Sequence, residues 1–165
     1  MISHAPDILL DLASPDETRA LADAVAPVLR PGTVLLLSGA IGAGKTHFAR
    51  SVIQTLLAAA GKPPEDIPSP TFTLVQTYDA GTLEIWHADL YRLTSPDEIE
   101  ELGLIDAFDT ALCLVEWPDR LGDLAPEHAV QLNFTATGDD GRSLVITGAP
   151  PDLRTILQAF GSERP

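Results

Sequence analysis

Cysteine is nearly absent from this sequence of 165 residues, in which Cys113 is the only one. An intramolecular disulfide and a cysteine-based metal cluster are therefore both excluded. Cys113 lies in the apolar run Leu112-Cys113-Leu114-Val115, where no neighbouring base or positive charge would stabilise a thiolate. We expect a buried structural thiol rather than a nucleophile.

Lysine is almost as scarce, since the chain has only Lys45 and Lys62. Its 24 acidic residues outnumber the 10 basic ones and give a net charge of −14. A protein that holds RNA or DNA by itself needs a basic face to neutralise backbone phosphates. Because this surface would on average repel nucleic acid, we expect no direct DNA binding, and any contact with RNA only through a protein partner.

Long hydrophobic runs are missing too, and no apolar stretch approaches the roughly 20 residues of a membrane helix. The start Met1–Asp7 has no basic segment followed by an apolar one, so it does not resemble a secretory signal. The length suits one domain with a sizeable core. We therefore expect a single cytoplasmic domain over residues 1–165 without membrane association.

The chain does contain a glycine-rich octet between an apolar run and a segment of helical character. Its residues are Gly39, Ala40, Ile41, Gly42, Ala43, Gly44, Lys45 and Thr46. They match G-x-x-x-x-G-K-[ST], the phosphate-binding loop, whose expected context is a preceding strand and a following helix. Glycines permit the positive φ angles that bring backbone N–H groups close to a phosphate. Lys45 is predicted to contact the β- and γ-phosphates and Thr46 to offer its hydroxyl to Mg²⁺. The sequence therefore predicts that a nucleoside triphosphate binds with Mg²⁺.

Turn residues and hydrophobic patterns predict alternating strands and helices around this loop. The predicted strands cover 8–13, 33–38, 71–78, 82–90, 111–116, 131–135 and 143–147, and the predicted helices cover 15–29, 45–61, 95–102 and 152–160. Short turns at 79–81 and 138–141 predict two antiparallel pairs. The expected fold class is α/β, a P-loop NTPase fold with a mixed parallel and antiparallel central sheet flanked by helices.

Three further motifs follow the loop. Glu116 ends a fully apolar strand, which makes it the candidate for the second magnesium contact, directly or through water. The segments Ser69–Thr73 and His87–Arg92 are individually ambiguous, because the first also suits a turn and the second the polar face of a hairpin.

In their order along the chain, these motifs resemble the TsaE family, also called YjeE, the small bacterial ATPases of tRNA threonylcarbamoyl modification. The likeness begins at the helix start 14–18 and includes the loop, 69–74, 87–93, 98–103 and 114–118. The last fifty or so residues match loosely, as apolar strands around Arg142.

The resemblance implies a role for each matching residue. Lys45 and Thr46 would bind phosphate and Mg²⁺, and Glu116 would complete the metal site. Thr71 would act like a switch threonine near the γ-phosphate, and Asp89 would orient or activate the attacking water.

The family likeness also implies contacts outside the reacting groups. Tyr91 and Arg92 would couple the site to a partner surface, while Trp117 suits either the nucleotide's side or the core. The nucleotide contacts would extend from Gly39 through His47 and, near the base, would include Glu17, Thr18 and Arg142.

Two positions depart from the family pattern. The loop begins Gly39-Ala40-Ile41-Gly42 where the family usually has Gly-Asp-Leu-Gly, and His47 replaces a more usual threonine. Compared with the family pattern, Ala40 removes a carboxylate near the triphosphate, and we expect this change to affect hydrolysis and nucleotide discrimination more than binding.

The implied function is an accessory ATPase with ATP and Mg²⁺, acting through TsaB and TsaD proteins that attach threonylcarbamoyl to adenosine 37 of tRNA. We expect weak hydrolysis by the isolated chain. Three alternatives stay open: a P-loop small-molecule kinase, which the scattered arginines and missing lid disfavour; a GTP-dependent regulator, which the missing Asn-Lys-x-Asp motif disfavours; and a nucleotide-binding scaffold without turnover.

Overall fold

The computed structural model describes residues 7–162 of the chain. Its strands are β1 (Ile8–Leu12), β2 (Val34–Ser38), β3 (Val75–Ala80), β4 (Leu83–Asp89), β5 (Leu112–Glu116), β6 (Val130–Ala136) and β7 (Arg142–Thr147). Its α-helices are α1 (Pro15–Val25), α2 (Lys45–Ala59), α3 (Pro96–Glu101), α4 (Leu104–Thr110) and α5 (Pro151–Ser162). Ala26–Val28 and Pro118–Leu124 form 3-10 segments.

The seven strands form one sheet in the order β1-β7-β6-β2-β5-β4-β3. The central strands β6, β2, β5 and β4 run parallel to one another. The hairpin partner β3 pairs antiparallel with β4, and β7 pairs antiparallel with both β6 and β1. The predicted α/β class with a mixed sheet flanked by helices is confirmed.

Apolar residues cover both faces of the central strands and form two cores. Leu35 and Leu37 of β2 pack in a core with residues of α1, α2 and α5, whereas Val34 and Leu36 pack in another with residues of α3 and α4. Alternate side chains of a strand point to opposite faces, so a strand buried on both sides must be apolar throughout. This explains the uninterrupted apolar runs of β2 and β5.

The first helix begins where the sequence predicts it. The Ser14 side chain accepts a hydrogen bond from the Glu17 N–H, and Pro15 occupies the first turn, where its missing N–H costs nothing. The α-helix ends at Val25 instead of continuing to about residue 29, because Ala26–Val28 tighten into a 3-10 turn around a proline.

The predicted start of one strand was wrong, and two short elements were missed. Strand β3 begins at Val75 rather than at residue 71, because residues 71–74 form a turn in which Leu74 has a φ of 69° and its N–H bonds to the Pro70 carbonyl. Helix α4 was missed because its seven residues are too few for a clear helical period. The 3-10 segment Pro118–Leu124 was also missed.

Within residues 7–162, no helix is both long enough and apolar enough to span a membrane. Residues 1–6, on which most of the secretory-signal prediction depends, lie outside the described residues, as does Arg164 among the scattered arginines.

Candidate functional site

The glycine-rich loop joins the end of β2 to the start of α2. Gly39, Gly42 and Gly44 have φ angles of 144°, 81° and 105°, a region that L side chains rarely adopt. A Cβ on Gly39 would also lie 2.5 Å from the Phe134 carbonyl oxygen, whereas one on Gly42 would meet nothing within 4 Å. The loop therefore needs glycine at Gly39 for packing, and at Gly42 it leaves open space beside the backbone.

Lys45 is the first residue of α2, and only 4% of it is exposed. Its Nζ donates a hydrogen bond of 2.6 Å to the Gly39 carbonyl and lies 3.4 Å from the centre of the Trp117 ring. Burial lowers the pKa of the Lys45 ammonium, while the nearby carboxylates of Glu116 and Asp89 act in the opposite direction. The ammonium is thus held inside its own loop, next to two acidic side chains.

Glu116, at the end of β5, has both carboxylate oxygens engaged. The Thr46 hydroxyl donates to its Oε1 at 2.6 Å, and His87 Nε2 lies 2.6 Å from its Oε2. Glu116 and His87 are buried, with 2% and no exposure respectively. The carboxylate is therefore fixed between the first turn of α2 and the neighbouring strand β4.

Asp89 ends β4 directly beside Glu116, since the two are paired residues across the parallel strands. Asp89 is 6% exposed, and its Oδ1 accepts a hydrogen bond from the Tyr91 N–H at 3.0 Å. The carboxyl ends of parallel strands are where α/β sheets bind ligands. The structure thus brings Lys45, Thr46, Asp89 and Glu116 together at this edge.

Thr71 lies in the turn before β3, where its Oγ1 is 2.8 Å from Ser69 Oγ. The turn is tied to β4 because the Asp89 N–H bonds to the Leu74 carbonyl. Among residues 7–162, no hydrogen bond joins Thr71 to the phosphate loop or to Glu116. The switch role of Thr71 stays a prediction.

Two aromatic residues extend the site to the surface. The rings of Tyr91 and Trp117 are 4.8 Å apart, and Arg120 Nη2 donates to the Tyr91 carbonyl at 3.3 Å. Arg92 lies over the ring of the exposed Phe72, with 5.5 Å between Cζ and the ring centre. Sequence reasoning missed Phe72 and Arg120, since an isolated aromatic or arginine carries no local signal of its partner.

The residues predicted near the base behave differently from one another. Arg142, in β7, reaches the phosphate loop and donates from Nη2 to the Gly42 carbonyl at 3.0 Å. Glu17 accepts from the Ala13 N–H at the start of α1, and Thr18 is buried in that helix. His47 Nε2 lies 3.0 Å from the Pro15 carbonyl oxygen and so connects α2 to the same helix start. The contacts of Glu17, Thr18 and Arg142 with a base, and that of His47 with the nucleotide, stay predictions.

Thr46 and Glu116 fit Mg²⁺ by the chemistry of their donor atoms. In the described part of the chain, no group of three or more histidine, cysteine or acidic side chains could hold a metal ion. Mg²⁺ commonly binds through one or two carboxylates together with substrate phosphates and water, and it does not need such a cage. A hydroxyl and a carboxylate beside a phosphate loop are a suitable set of protein ligands.

Comparisons with known proteins find relatives along most of the chain. Residues 12–144 match the family described as Threonylcarbamoyl adenosine biosynthesis protein TsaE. A tRNA threonylcarbamoyladenosine biosynthesis protein TsaE of Rickettsia bellii is 41% identical over 136 residues, which cover 82% of this chain and 92% of that protein. One from Bacillus subtilis is 37% identical over 135 residues, with 81% of each chain covered. The crystal structure of Bacillus subtilis YdiB is similar with a TM-score of 0.72 and 26% identity over 99% of both chains.

Proposed function

This chain belongs to the TsaE family of threonylcarbamoyl adenosine biosynthesis proteins, and from that premise we propose that it is a Mg²⁺-dependent ATPase that serves tRNA modification as an accessory subunit. Its partners are proteins of the TsaB and TsaD type, which attach threonylcarbamoyl to adenosine 37, and the chain itself contacts tRNA only indirectly. Family membership assigns the chain to tRNA threonylcarbamoyladenosine biosynthesis, and the ATPase and partner steps are the proposal. We further propose one domain over residues 1–165 and a cytoplasmic location.

The observation that carries the proposal is the convergence of four side chains at the N terminus of α2. Lys45 and Thr46 begin that helix, while Asp89 and Glu116 end the adjacent parallel strands β4 and β5. A helix N terminus favours a phosphate through its free N–H groups and its dipole. Two carboxylates at the same edge support hydrolysis more than storage of a nucleotide, because binding alone needs no acidic pair.

Each of these residues has a distinct task in the proposed reaction. Lys45 leaves the Gly39 carbonyl and neutralises the triphosphate, and Thr46 and Glu116 would hold Mg²⁺. The ion, when bound, neutralises charge on the phosphate oxygens. Asp89 orients the attacking water through a carboxylate that the Tyr91 N–H fixes in place. Phosphoryl transfer depends mostly on such positioning and on electrostatics.

The contacts of Lys45 support slow ATP hydrolysis by the isolated chain. The ammonium is bonded to Gly39 and covered by Trp117, so phosphate must compete with both. The Trp117 ring packs at a tilt of 50° against Tyr91, which is 45% exposed and therefore open to a partner. A partner that moves Tyr91 would free the Lys45 ammonium and so accelerate hydrolysis. In addition, Ala40 leaves the loop without the carboxylate that is usual in the family.

The test is a reconstituted tRNA modification reaction with TsaB and TsaD proteins. We expect multiple-turnover formation of the product to require both this chain and ATP. The Lys45→Ala variant should not support it. The ATP hydrolysis rate is measured in parallel, with and without the partners, and should rise when they are added. Equal product with the chain omitted would contradict the accessory role, and equal hydrolysis rates would contradict the coupling.

Two controls separate the competing functions. Competition between ATP and GTP for binding tests the base, and a preference for GTP would contradict the assignment. Incubation of the chain and ATP with a panel of nucleosides and metabolites tests for a phosphorylated product. Such a product would support a small-molecule kinase instead of the proposed ATPase.

A further inference from the structure

His87 is a buried polar residue whose side chain has one hydrogen-bond partner among the described residues. None of it is exposed, and its Nε2 lies 2.6 Å from Glu116 Oε2. Its other ring nitrogen, Nδ1, has no hydrogen-bond partner in the described part of the chain. Burying an imidazole costs free energy unless its nitrogens are bonded. Since only one of the two ring nitrogens has a hydrogen-bond partner, the contact with Glu116, rather than packing in the core, explains why a histidine occupies this position.

The surroundings of His87 would accept an apolar side chain. On β4, the residue two positions earlier on the same face is Ile85, and the paired residue on β5 is Leu114, both of them fully buried. An isoleucine or leucine at position 87 would extend this core without an unpaired nitrogen. The presence of histidine therefore indicates that the bond to the carboxylate matters.

The tautomer follows from the same geometry. A proton on Nδ1 would be buried without an acceptor, whereas a proton on Nε2 is donated to Glu116. With Nε2–H as the donor, His87 binds Oε2 of Glu116, and Oε1 of the same carboxylate accepts from the Thr46 hydroxyl. Both oxygens of the carboxylate then have fixed directions.

We propose that His87 is a positioning residue that orients the Glu116 carboxylate toward Thr46 and so sets the affinity of the site for nucleotide-bound Mg²⁺. The inference rests on the proposed function, because it assumes that Thr46 and Glu116 hold the ion. Partners that hydrogen-bond to metal-binding side chains typically contribute 10- to 100-fold in metal affinity. Without the imidazole donor, the buried Oε2 is unpaired and the carboxylate turns away from Thr46.

Glutamine and asparagine give a matched pair of variants. The amide nitrogen of glutamine lies about as far from the backbone as Nε2 of histidine, whereas that of asparagine corresponds to Nδ1. His87→Gln therefore restores the donor to Glu116, and His87→Asn is equally polar but does not reach it. His87→Phe keeps the aromatic volume without a donor and serves as a second test if the asparagine variant does not fold.

The experiment measures binding of a non-hydrolysable ATP analogue by calorimetry, first in EDTA and then at increasing Mg²⁺. For His87→Asn and His87→Phe, we expect the half-saturating Mg²⁺ concentration to rise about tenfold or more, with unchanged affinity in EDTA. His87→Gln should stay within about twofold of the unmodified chain. Melting temperatures identify variants that are folded.

The outcomes separate this inference from the proposed function. If the unmodified chain shows no Mg²⁺ dependence, or if Glu116→Gln does not weaken it, the magnesium assignment fails and the role of His87 with it. A different outcome is that the unmodified chain and Glu116→Gln both behave as expected while His87→Asn and His87→Phe respond to Mg²⁺ like the unmodified chain. In that case, only the role of His87 is overturned. Equal losses in EDTA and in Mg²⁺ would also overturn it, because they indicate a structural role.

Discussion

The Lys45 ammonium lies 3.4 Å from the centre of the Trp117 ring. A cation over an indole face is stabilised by roughly 0.5–2 kcal/mol, depending on its desolvation. The same ammonium also donates to the Gly39 carbonyl. Because a bound phosphate would need this cation, we expect nucleotide binding to rearrange the contact between Lys45 and Trp117.

The first prediction follows from that rearrangement. The chain has two tryptophans, Trp86 and Trp117, so Trp86→Phe leaves Trp117 as the only one. We expect nucleotide to change the fluorescence of this variant, because the cation over the ring moves toward the phosphates. In Trp117→Phe, the remaining Trp86 is hydrogen-bonded to Glu84 away from the loop, and its emission should stay constant. Unchanged emission of Trp117 at saturating nucleotide, with binding verified by calorimetry, would contradict this prediction.

The second prediction separates binding from hydrolysis. Lys45→Ala removes the cation of the loop and should abolish nucleotide binding in calorimetry. Glu116→Gln keeps the size of the side chain and an acceptor for Thr46, so it should spare binding of ADP in EDTA. It should lower Mg²⁺-dependent ATP hydrolysis on the order of 100-fold, since the carboxylate charge is lost. Loss of ADP binding by Glu116→Gln would show that this glutamate acts in nucleotide binding itself.

Much of the fold could be predicted because its signals are local. The continuous apolar runs of β2 and β5 report strands buried on both faces, and the motif Gly39–Thr46 carries its own loop geometry. The first turn of α1 follows from Ser14 and Pro15. In each case, neighbours along the chain determine the structure.

The features that could not be predicted depend on distant parts of the chain. Arg142 contacts Gly42 across 100 positions, through strands whose pairing is not encoded locally. His87 meets Glu116 only because β4 and β5 are parallel in one register. Trp117 covers Lys45 from a backbone φ of 57°, which an aromatic residue rarely adopts and which its sequence neighbours do not indicate.

The third prediction concerns Cys113, whose burial raises the pKa of its thiol from 9.0 to about 12. At pH 8, about one folded molecule in ten thousand would carry the thiolate, against about one unfolded molecule in ten. We expect a thiol-reactive disulfide to label the chain rapidly in denaturant and very slowly without it. Rapid labelling of the native chain at pH 8 would contradict the buried thiol.

The raised pKa of the Cys113 thiol makes the stability of the fold depend on pH. Because the folded pKa lies above the unfolded one, the contribution of the Cys113 thiol is fully present below about pH 9 and is lost as the pH rises toward about 12. Urea unfolding at pH 8 and pH 10 measures it, and Cys113→Ala should lose less stability between these values than the unmodified chain does.

The fourth prediction concerns Arg142, which holds the phosphate loop from β7. Its Nη2 donates to the Gly42 carbonyl at 3.0 Å and its Nη1 to the Gly141 carbonyl at 2.6 Å. A hydrogen bond from a charged group contributes about 1.5–3 kcal/mol when buried, and less at this half-buried position. We expect Arg142→Ala to weaken ADP binding about tenfold, which corresponds to about 1.4 kcal/mol. Arg30→Ala is the control, because Arg30 pairs with Asp152 on the exposed surface.

Arg142→Lys distinguishes charge from geometry in this contact. Lysine keeps the positive charge but lacks the planar fork that donates to two carbonyls at once. If Arg142 acts by holding the loop, the lysine variant should lose most of the affinity that the alanine variant loses. If it acts through its charge on the phosphates, lysine should restore binding, and the loss caused by alanine should shrink as salt concentration rises. The hydrogen bond to Gly42 favours the first outcome, since it fixes the backbone at the glycine where the loop leaves space for a ligand.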